Sequence, residues 1–510
     1  MSRKLLKSTF TVGGMTTVSR VFGLIRDVVI ARLFGAGAEV DAFIVAFRIP
    51  NFLRRLFAEG GFSQAFVPVL AEYKEQRDET AVKALVDQTS ATLGLVLFLV
   101  TLVGVIAAPL LIMVFASGFD EAKHVMASDM LRITFPYILF ISLTAFAASI
   151  LNTYKQFAIP AFTPVLLNLS LIGCAIWLAP MMDIPITALA WGVLIAGIAQ
   201  LLFQFPFLFR LKLFPRPGFN KDKEGVTRIL KLMLPTLFAV SIVQINLLVD
   251  TIFASFLVDG SISWLYYSDR MIEFPLGVFG IALATVLLPN LSSEHAKKAT
   301  GKFSDTLDWA LRWVFLIAIP AAVALAVLAV PILATLFQYD EFTPYATVMS
   351  GKSLLAYTLG LPAFILIKIF AAGFFSRQDT KTPVKVGAIA MVANIGLNFL
   401  LVGVFAHAGL ALATSLSACL QALLLFLLLK KEAVYKPVSG WIKFFLQIVI
   451  AAAAMAFLIF YFIDAPDQWF AWGLIQRAWN LSLWIVAGLL CYFGVLWLTG
   501  LRWQNMTAQQ

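Results

Sequence analysis

Charge is what this sequence has least of. Only 13% of its 510 residues are Asp, Glu, Lys or Arg, while 61% are hydrophobic; soluble domains carry about 25% charged and about 45–50% apolar residues. Half the usual charge leaves too little polar surface to cover a water-soluble globule, so the chain reads as a polytopic membrane protein. Cysteine is scarce too. Cys174, Cys419 and Cys491 lie in apolar runs without metal-ligand spacing, as small buried hydrophobes do. The three histidines, His124, His295 and His407, are scattered at predicted helix ends, which argues against a His-based metal or catalytic centre. No cleavable signal peptide is expected, because the basic start is followed by Arg20, Arg26 and Asp27 with no small-residue cleavage site. Enzyme motifs are weak: Gly351-Lys352-Ser353 is half a phosphate-binding loop with Ala346 where its first glycine belongs. No catalytic residues and no enzymatic activity are expected.

What the chain has in abundance is apolar runs. A helix needs about 20 apolar residues to cross the hydrocarbon core, and turn residues and charge clusters punctuate fourteen such spans here, from 9–31 to 476–500. Pro50, Pro136, Pro275 and Pro362 fall inside their segments and are the expected kink sites. Of the 38 Lys and Arg, 25 fall on the side of the N-terminus and four (Arg32, Lys123, Lys352, Arg477) on the other. That bias places both termini in the cytoplasm, and it accounts for the basic loops without nucleic acid. A faint repeat runs through the chain. Asp27 with Gly37 matches Asp250 with Gly260, Phe146-Ala147-Ala148 matches Phe370-Ala371-Ala372, and Pro160 matches Pro383, at a near-constant offset. It divides the chain into two parallel six-helix lobes, 1–218 and 219–433, plus a final helix pair, 434–510.

Nine cations remain inside spans: Arg20, Arg26, Arg48, Arg54, Arg55, Arg132, Arg270, Arg312 and Lys368. Each costs about 2.5–3.5 kcal/mol near a helix centre on insertion scales. The acids read as buried are Asp27, Asp41, Glu59, Asp250, Asp269 and Glu273. Asp41, Arg48 and Arg55 are spaced by seven on one helical face, and Glu273 follows Asp269 and Arg270 by one turn. Structural ion pairs and snorkelling side chains account for part of this, Arg132 and Arg312 in particular. Counted over these residues, the first and second spans still hold more cation than anion, and the eighth adds Arg270 beside two acids, as a water-filled cavity between the lobes would if it received an anionic substrate.

The residues also resemble a known family. Ser19-Arg20-Val-Phe-Gly-Leu-Ile-Arg26-Asp27, Asn51-Phe-Leu-Arg54-Arg55 within the stretch from Pro50 to Pro68, Tyr266-Tyr-Ser-Asp269-Arg270-Met-Ile-Glu273 and Phe374-Phe-Ser-Arg377 are similar to the MurJ family, bacterial lipid II flippases of the multidrug/oligosaccharidyl-lipid/polysaccharide exporter superfamily. The similarity runs from the first residue to the last helix pair. It implies an inner-membrane protein of two six-helix lobes that opens its central cavity alternately to each side. The substrate would be lipid II, a disaccharide-pentapeptide on undecaprenyl diphosphate, carried from the cytoplasmic to the periplasmic leaflet. The two extra helices would form a groove for the lipid tail. Substrate-binding positions carried over from the family are Arg20, Arg26, Asp27, Asp41, Arg54, Arg270, Glu273 and Lys368. Guanidinium forks suit a diphosphate independently of the resemblance.

Some family members hold a sodium ion in the second lobe, and the matching positions are Asp250, Asn394, Asn398, Leu410 and Thr414. Asn398 stands where those members have a second acid, which keeps the oxygen and removes a charge. A sodium site, a proton on Asp250 and a structural hydrogen-bond cluster all stay open, and no other cofactor is expected. The expected partners are lipid II, membrane lipids and other cell-wall synthesis proteins. Rival readings are an exporter of another undecaprenyl-linked oligosaccharide and a non-transporting scaffold for cell-wall machinery; cationic drugs fit a positively charged cavity poorly.

Overall fold

The computed structural model describes residues 3–55, 61–216, 218 and 223–501. Among these residues there are helices and no strand. By packing, the chain forms two compact units, Met1–Gly260 and Ser261–Gln510. The first holds α1 (Arg3–Phe34), α2 (Ala38–Arg54), α3 (Ser63–Gln76), α4 (Glu79–Ile106), α5 (Ala108–Phe115), α6 (Glu121–Thr134), α7 (Tyr137–Thr153), α8 (Ala158–Gly173), α9 (Thr187–Arg210) and α10 (Lys223–Ser255). The second holds α11 (Ser261–Pro275), α12 (Ile281–Ala296), α13 (Thr300–Val327), α14 (Ala329–Phe337), α15 (Pro344–Thr358), α16 (Leu361–Phe375), α17 (Lys381–Lys431), α18 (Trp441–Phe462), α19 (Pro466–Ala471) and α20 (Leu474–Leu498). Because α10 packs on α2, α3, α4 and α5, contact groups it with the first unit. The sequence repeat, which follows chain order, puts it in the second lobe.

Helix starts follow ordinary capping chemistry. Asp78 accepts from the Ala81 N–H at 3.1 Å, Asp120 from Lys123 at 2.9 Å, and Thr343 from Ala346 at 3.1 Å with Pro344 directly behind it. The helix surfaces show what surrounds them. On α4, Leu95, Phe98, Leu99, Leu102, Val103 and Ile106 are all exposed, an apolar stripe that water would penalise and hydrocarbon would not. Within the second unit, α18 and α20 pack on each other and on α13, and the Tyr492 hydroxyl donates to the Leu316 carbonyl at 2.9 Å. A Cβ on Gly488 would lie 3.0 Å from Ile459, so this helix contact depends on a small residue.

Eight helices among the described residues are long and apolar enough to cross a membrane, nine if the bent pair α15 and α16 is one span. That is fewer than the fourteen expected, which length and composition therefore do not establish. Two physical reasons account for the difference. Helices that carry the interior charges, such as α2 and α11, are short, at 17 and 15 residues, and α11 ends at Pro275. The 51-residue α17 is counted once although it is two helices joined at Ala406, whose φ of 49° and ψ of −130° are not helical. As one straight helix it would be ~75 Å long, far beyond a hydrocarbon core of about 30 Å. A Cβ on Gly409 would sit 2.5 Å from the Leu401 carbonyl oxygen, so the chain reverses there with backbone against backbone. Three of the four prolines fall at or near irregularities: Pro136 between α6 and α7, Pro275 before the π-helical Leu276–Gly280, and Pro362 just after the 42° bend between α15 and α16; Pro50 lies inside α2, which continues past it to Arg54.

Candidate functional site

In the first unit the predicted cations sit on α1 and α2. Arg26 is 7% exposed and Asp27 2%. The Arg26 fork donates from Nε at 3.0 Å and Nη2 at 2.7 Å to Asp27 Oδ1, and from Nη1 at 3.0 Å to Asn168 Oδ1 on α8. Asn168 in turn donates to the Ser19 carbonyl, 3.1 Å away, so the site ties α8 back to α1. Arg20 lies one turn and a half away on an exposed part of α1. On α2, Arg48 donates to the Thr251 hydroxyl of α10 at 2.7 Å, and Arg54 Nε donates to Asn51 at 2.9 Å within its own helix. Glu59 lies outside the described residues. Asp41, 3% exposed, accepts from the Gly260 N–H at 2.7 Å. Its carboxylate thus caps the chain just after α10, close to the ion pair of Lys123 with Asp259 at 2.6 Å.

In the second unit Arg270 lies on α11, with Nη1 2.7 Å from Glu273 and Nη2 3.1 Å from the Tyr266 hydroxyl. Its guanidinium carbon also sits 4.9 Å from the centre of the Tyr266 ring. Both charges remain accessible, the side chains being 32% and 46% exposed, so Glu273 is not the buried acid the sequence reading took it for. Lys368 on α16 is exposed as well. The buried acids missed are Asp87 and Asp308, 3% and 0% exposed. Asp308 pairs with Arg312 at 2.8 Å, a structural ion pair as expected of Arg312.

The second unit also brings together four of the five residues matched to a sodium site. Asn398 Nδ2 donates to Asn394 Oδ1 at 3.1 Å, Asn394 Nδ2 to Thr414 Oγ1 at 3.4 Å, and the Thr414 hydroxyl to the Leu410 carbonyl at 3.0 Å. Both asparagines are fully buried. Asp250, the fifth, lies on α10 in the first unit.

Asn168 and Arg477 have roles that sequence reasoning did not find. Arg477, placed among the outer-loop cations, is 3% exposed and donates to the carbonyls of Ala334, Gln338 and Phe470 at 2.8, 2.8 and 2.9 Å. Backbone acceptors leave no mark in a sequence. A polar Asn168 inside the apolar run of α8 was the one available signal for the first site.

The chain is similar to known proteins over its whole length. A relative from Vibrio cholerae described as "Probable lipid II flippase MurJ" is 47% identical over 100% of this chain and 98% of its own. One from Burkholderia cenocepacia, described as "Lipid II flippase MurJ", is 44% identical over 98% of each. The solved structure "Lipid II flippase MurJ, inward closed conformation" matches with a TM-score of 0.81 at 30% identity, covering 95% of this chain and 97% of that one. The solved structure "Inward-facing conformation of a multidrug resistance MATE family transporter of the MOP superfamily" shares the fold, with a TM-score of 0.70 at 15% identity over 83% of this chain and 98% of that one. The family model described as "Lipid II flippase MurJ" matches residues 30–479, and the chain belongs to that family.

Proposed function

We infer that this protein is a lipid II flippase, a transporter rather than an enzyme, which carries the undecaprenyl-diphosphate-linked peptidoglycan precursor across the membrane by alternating access. The observation that carries this reading is the family match across residues 30–479, supported by relatives that align from end to end. The protein is a multi-pass membrane protein. Its place in the bacterial inner membrane with both termini cytoplasmic rests on the distribution of Lys and Arg.

Arg26, Arg54 and Arg270 are the proposed contacts to the diphosphate, with Arg20 and Lys368 as accessory cations. Without substrate, Glu273 serves Arg270 as a local anion, 2.7 Å away and partly exposed. A diphosphate oxygen taking that place exchanges one anion for another, so binding would strand no guanidinium without a counter-charge. A fork also holds phosphate in two directions at once, which an ammonium cannot. For sodium, the donor chemistry fits: the side chains of Asn394, Asn398 and Thr414 and the Leu410 carbonyl offer hard oxygens gathered in one hydrogen-bonded cluster. A bound cation would link these groups, with Asp250 as the only formal charge; a purely structural amide cluster is the alternative.

The test is to deplete the native protein, complement with variants and assay which leaflet holds lipid II. Alanine at Arg26, Arg54 or Arg270 should leave lipid II on the cytoplasmic side although the variants still insert, and lysine should rescue only partly. Full complementation by all three alanine variants would overturn the assignment.

A further inference from the structure

Within the second unit, α13, α16, the second half of α17 and the start of α18 line a half-open cavity of about 520 Å³, within the range of about 300–1,000 Å³ typical of ligand sites. Its walls are hydrocarbon: Leu311, Ala363, Leu366, Ala422, Phe426 and Phe445 among them. It lies beside the 42° bend between α15 and α16, with Leu359, Pro362 and Ala363 from that bend in its lining. Of the last two membrane helices, α18 lines it through Trp441 and Phe445, and α20 contributes no lining residue.

One end of the cavity is built with unusual care. Tyr435 and Trp441 line it, and both polar tips are turned onto the same fully buried carboxylate oxygen, Asp308 Oδ1, at 2.7 Å each. Arg312 holds the other oxygen at 2.8 Å and donates to the Ser439 carbonyl at 3.4 Å. Asp308 thereby removes the two hydrogen-bond donors from the lining and leaves ring faces. Water would find no partners in such a space. Directly around this end, Lys430, Lys431, Lys436 and Lys443 are exposed. The single acid of that run, Glu432, is paired with Arg377 at 2.7 Å, so the rim is net cationic.

We propose that this cavity holds one acyl chain of an anionic phospholipid, with the phosphate at the Lys436 and Lys443 rim. An apolar slot opening beside clustered lysines at a helix end matches a lipid with one charged head and one hydrocarbon tail. The inference does not depend on the flippase reading, because none of its residues is among the proposed diphosphate contacts. Cys419 lines the same cavity and is exposed, which supplies a reporter in the native chain.

The experiment places the full-length protein in vesicles of dioleoylphosphatidylglycerol or of dioleoylphosphatidylcholine. N-ethylmaleimide alkylation of Cys419 is followed by peptide mass spectrometry and normalised to Cys491 in the same molecules. Alkylation should be slower in the anionic vesicles, by about threefold if about two-thirds of the cavities are filled. Ala422→Trp, which fills the space, and the pair K436E/K443E, which reverses the rim, should each remove the difference. Equal normalised rates in the two lipids overturn the proposal. So does protection by undecaprenyl phosphate in phosphatidylcholine vesicles at the level given by phosphatidylglycerol, which would make the occupant a polyprenyl chain.

Discussion

Replacing Arg477 with alanine should loosen the last two helices from the rest of the second unit. The guanidinium is 3% exposed and makes three hydrogen bonds of 2.8–2.9 Å, two to carbonyls at the C-terminal end of α14 and one to the end of α19. It also lies 5.1 Å from the centre of the Tyr339 ring. A hydrogen bond to a charged group contributes about 1.5–3 kcal/mol, and the negative end of a helix dipole adds up to about 2 kcal/mol in a buried setting. These terms do not add fully, and removing the side chain also relieves the cost of burying the charge. A net loss of about 3–4 kcal/mol remains, near the upper end for single substitutions. For a unit of this size, at about 2–4 °C per kcal/mol, the unfolding midpoint should fall by about 6–16 °C. Thermal unfolding of the full-length protein in detergent, followed by tryptophan fluorescence, measures this. Arg477→Lys should recover part of the loss, because one ammonium cannot reach all three carbonyls in the fork geometry. An alanine variant whose midpoint stays within a degree of wild type would refute the reasoning.

Three further outcomes are expected. Gly409→Ala places a methyl 2.5 Å from the Leu401 carbonyl oxygen, a backbone atom that cannot swing aside. It should therefore cost at least about 1–3 kcal/mol in the same melt, and an unchanged midpoint would contradict the tight reversal. At Asp379, a hydrogen bond from Thr382 first, then backbone N–H groups of Thr382 and Lys381 and the nearby Arg377 charge, hold the carboxyl below its ordinary pKa. A carboxyl lowered on folding stabilises above its unfolded pKa of about 3.9 and loses that contribution as pH falls through the folded value. Asp379→Asn should accordingly flatten the acid-side decline of the melting temperature, and an identical slope would exclude the effect. For the amide cluster, wild type should melt higher in sodium chloride than in choline chloride at fixed pH, and Asn398→Ala should abolish the gap. Sodium-independent melting of wild type would leave Asn394, Asn398 and Thr414 as a structural cluster.

Periodicity made some of the chemistry legible. Asn394 and Asn398 are one turn apart in the sequence and hydrogen-bonded in the structure, and Arg26 is paired with the acid that follows it. The charged stretch of α11 was likewise readable, although its Glu273 is exposed. The rest turned on partners that no local pattern marks. Arg477 is held by carbonyls, Asp41 by the Gly260 amide 219 residues away, and Asp308 by Tyr435 and Trp441 from beyond the end of the next helices. The span count also strained the sequence reading, because a helix that carries arginines or breaks at proline no longer looks like hydrocarbon from end to end.

The contrast between Arg26 and Arg48 bears on how the first unit is made. Arg26 finds its counter-ion in the very next residue, so α1 is electrically neutral at that depth as soon as it leaves the ribosome. Arg48 donates to a hydroxyl that lies 203 residues further on, which at about 5–20 residues per second is about 10–40 s of synthesis. The Asn168 contact to Arg26 arrives in between, 142 residues after it. Biogenesis of this unit therefore has an order written into its polar contacts. The first helix can settle in the bilayer alone, α8 docks onto it next, and α2 gains its bond to Thr251 only when α10 has been translated.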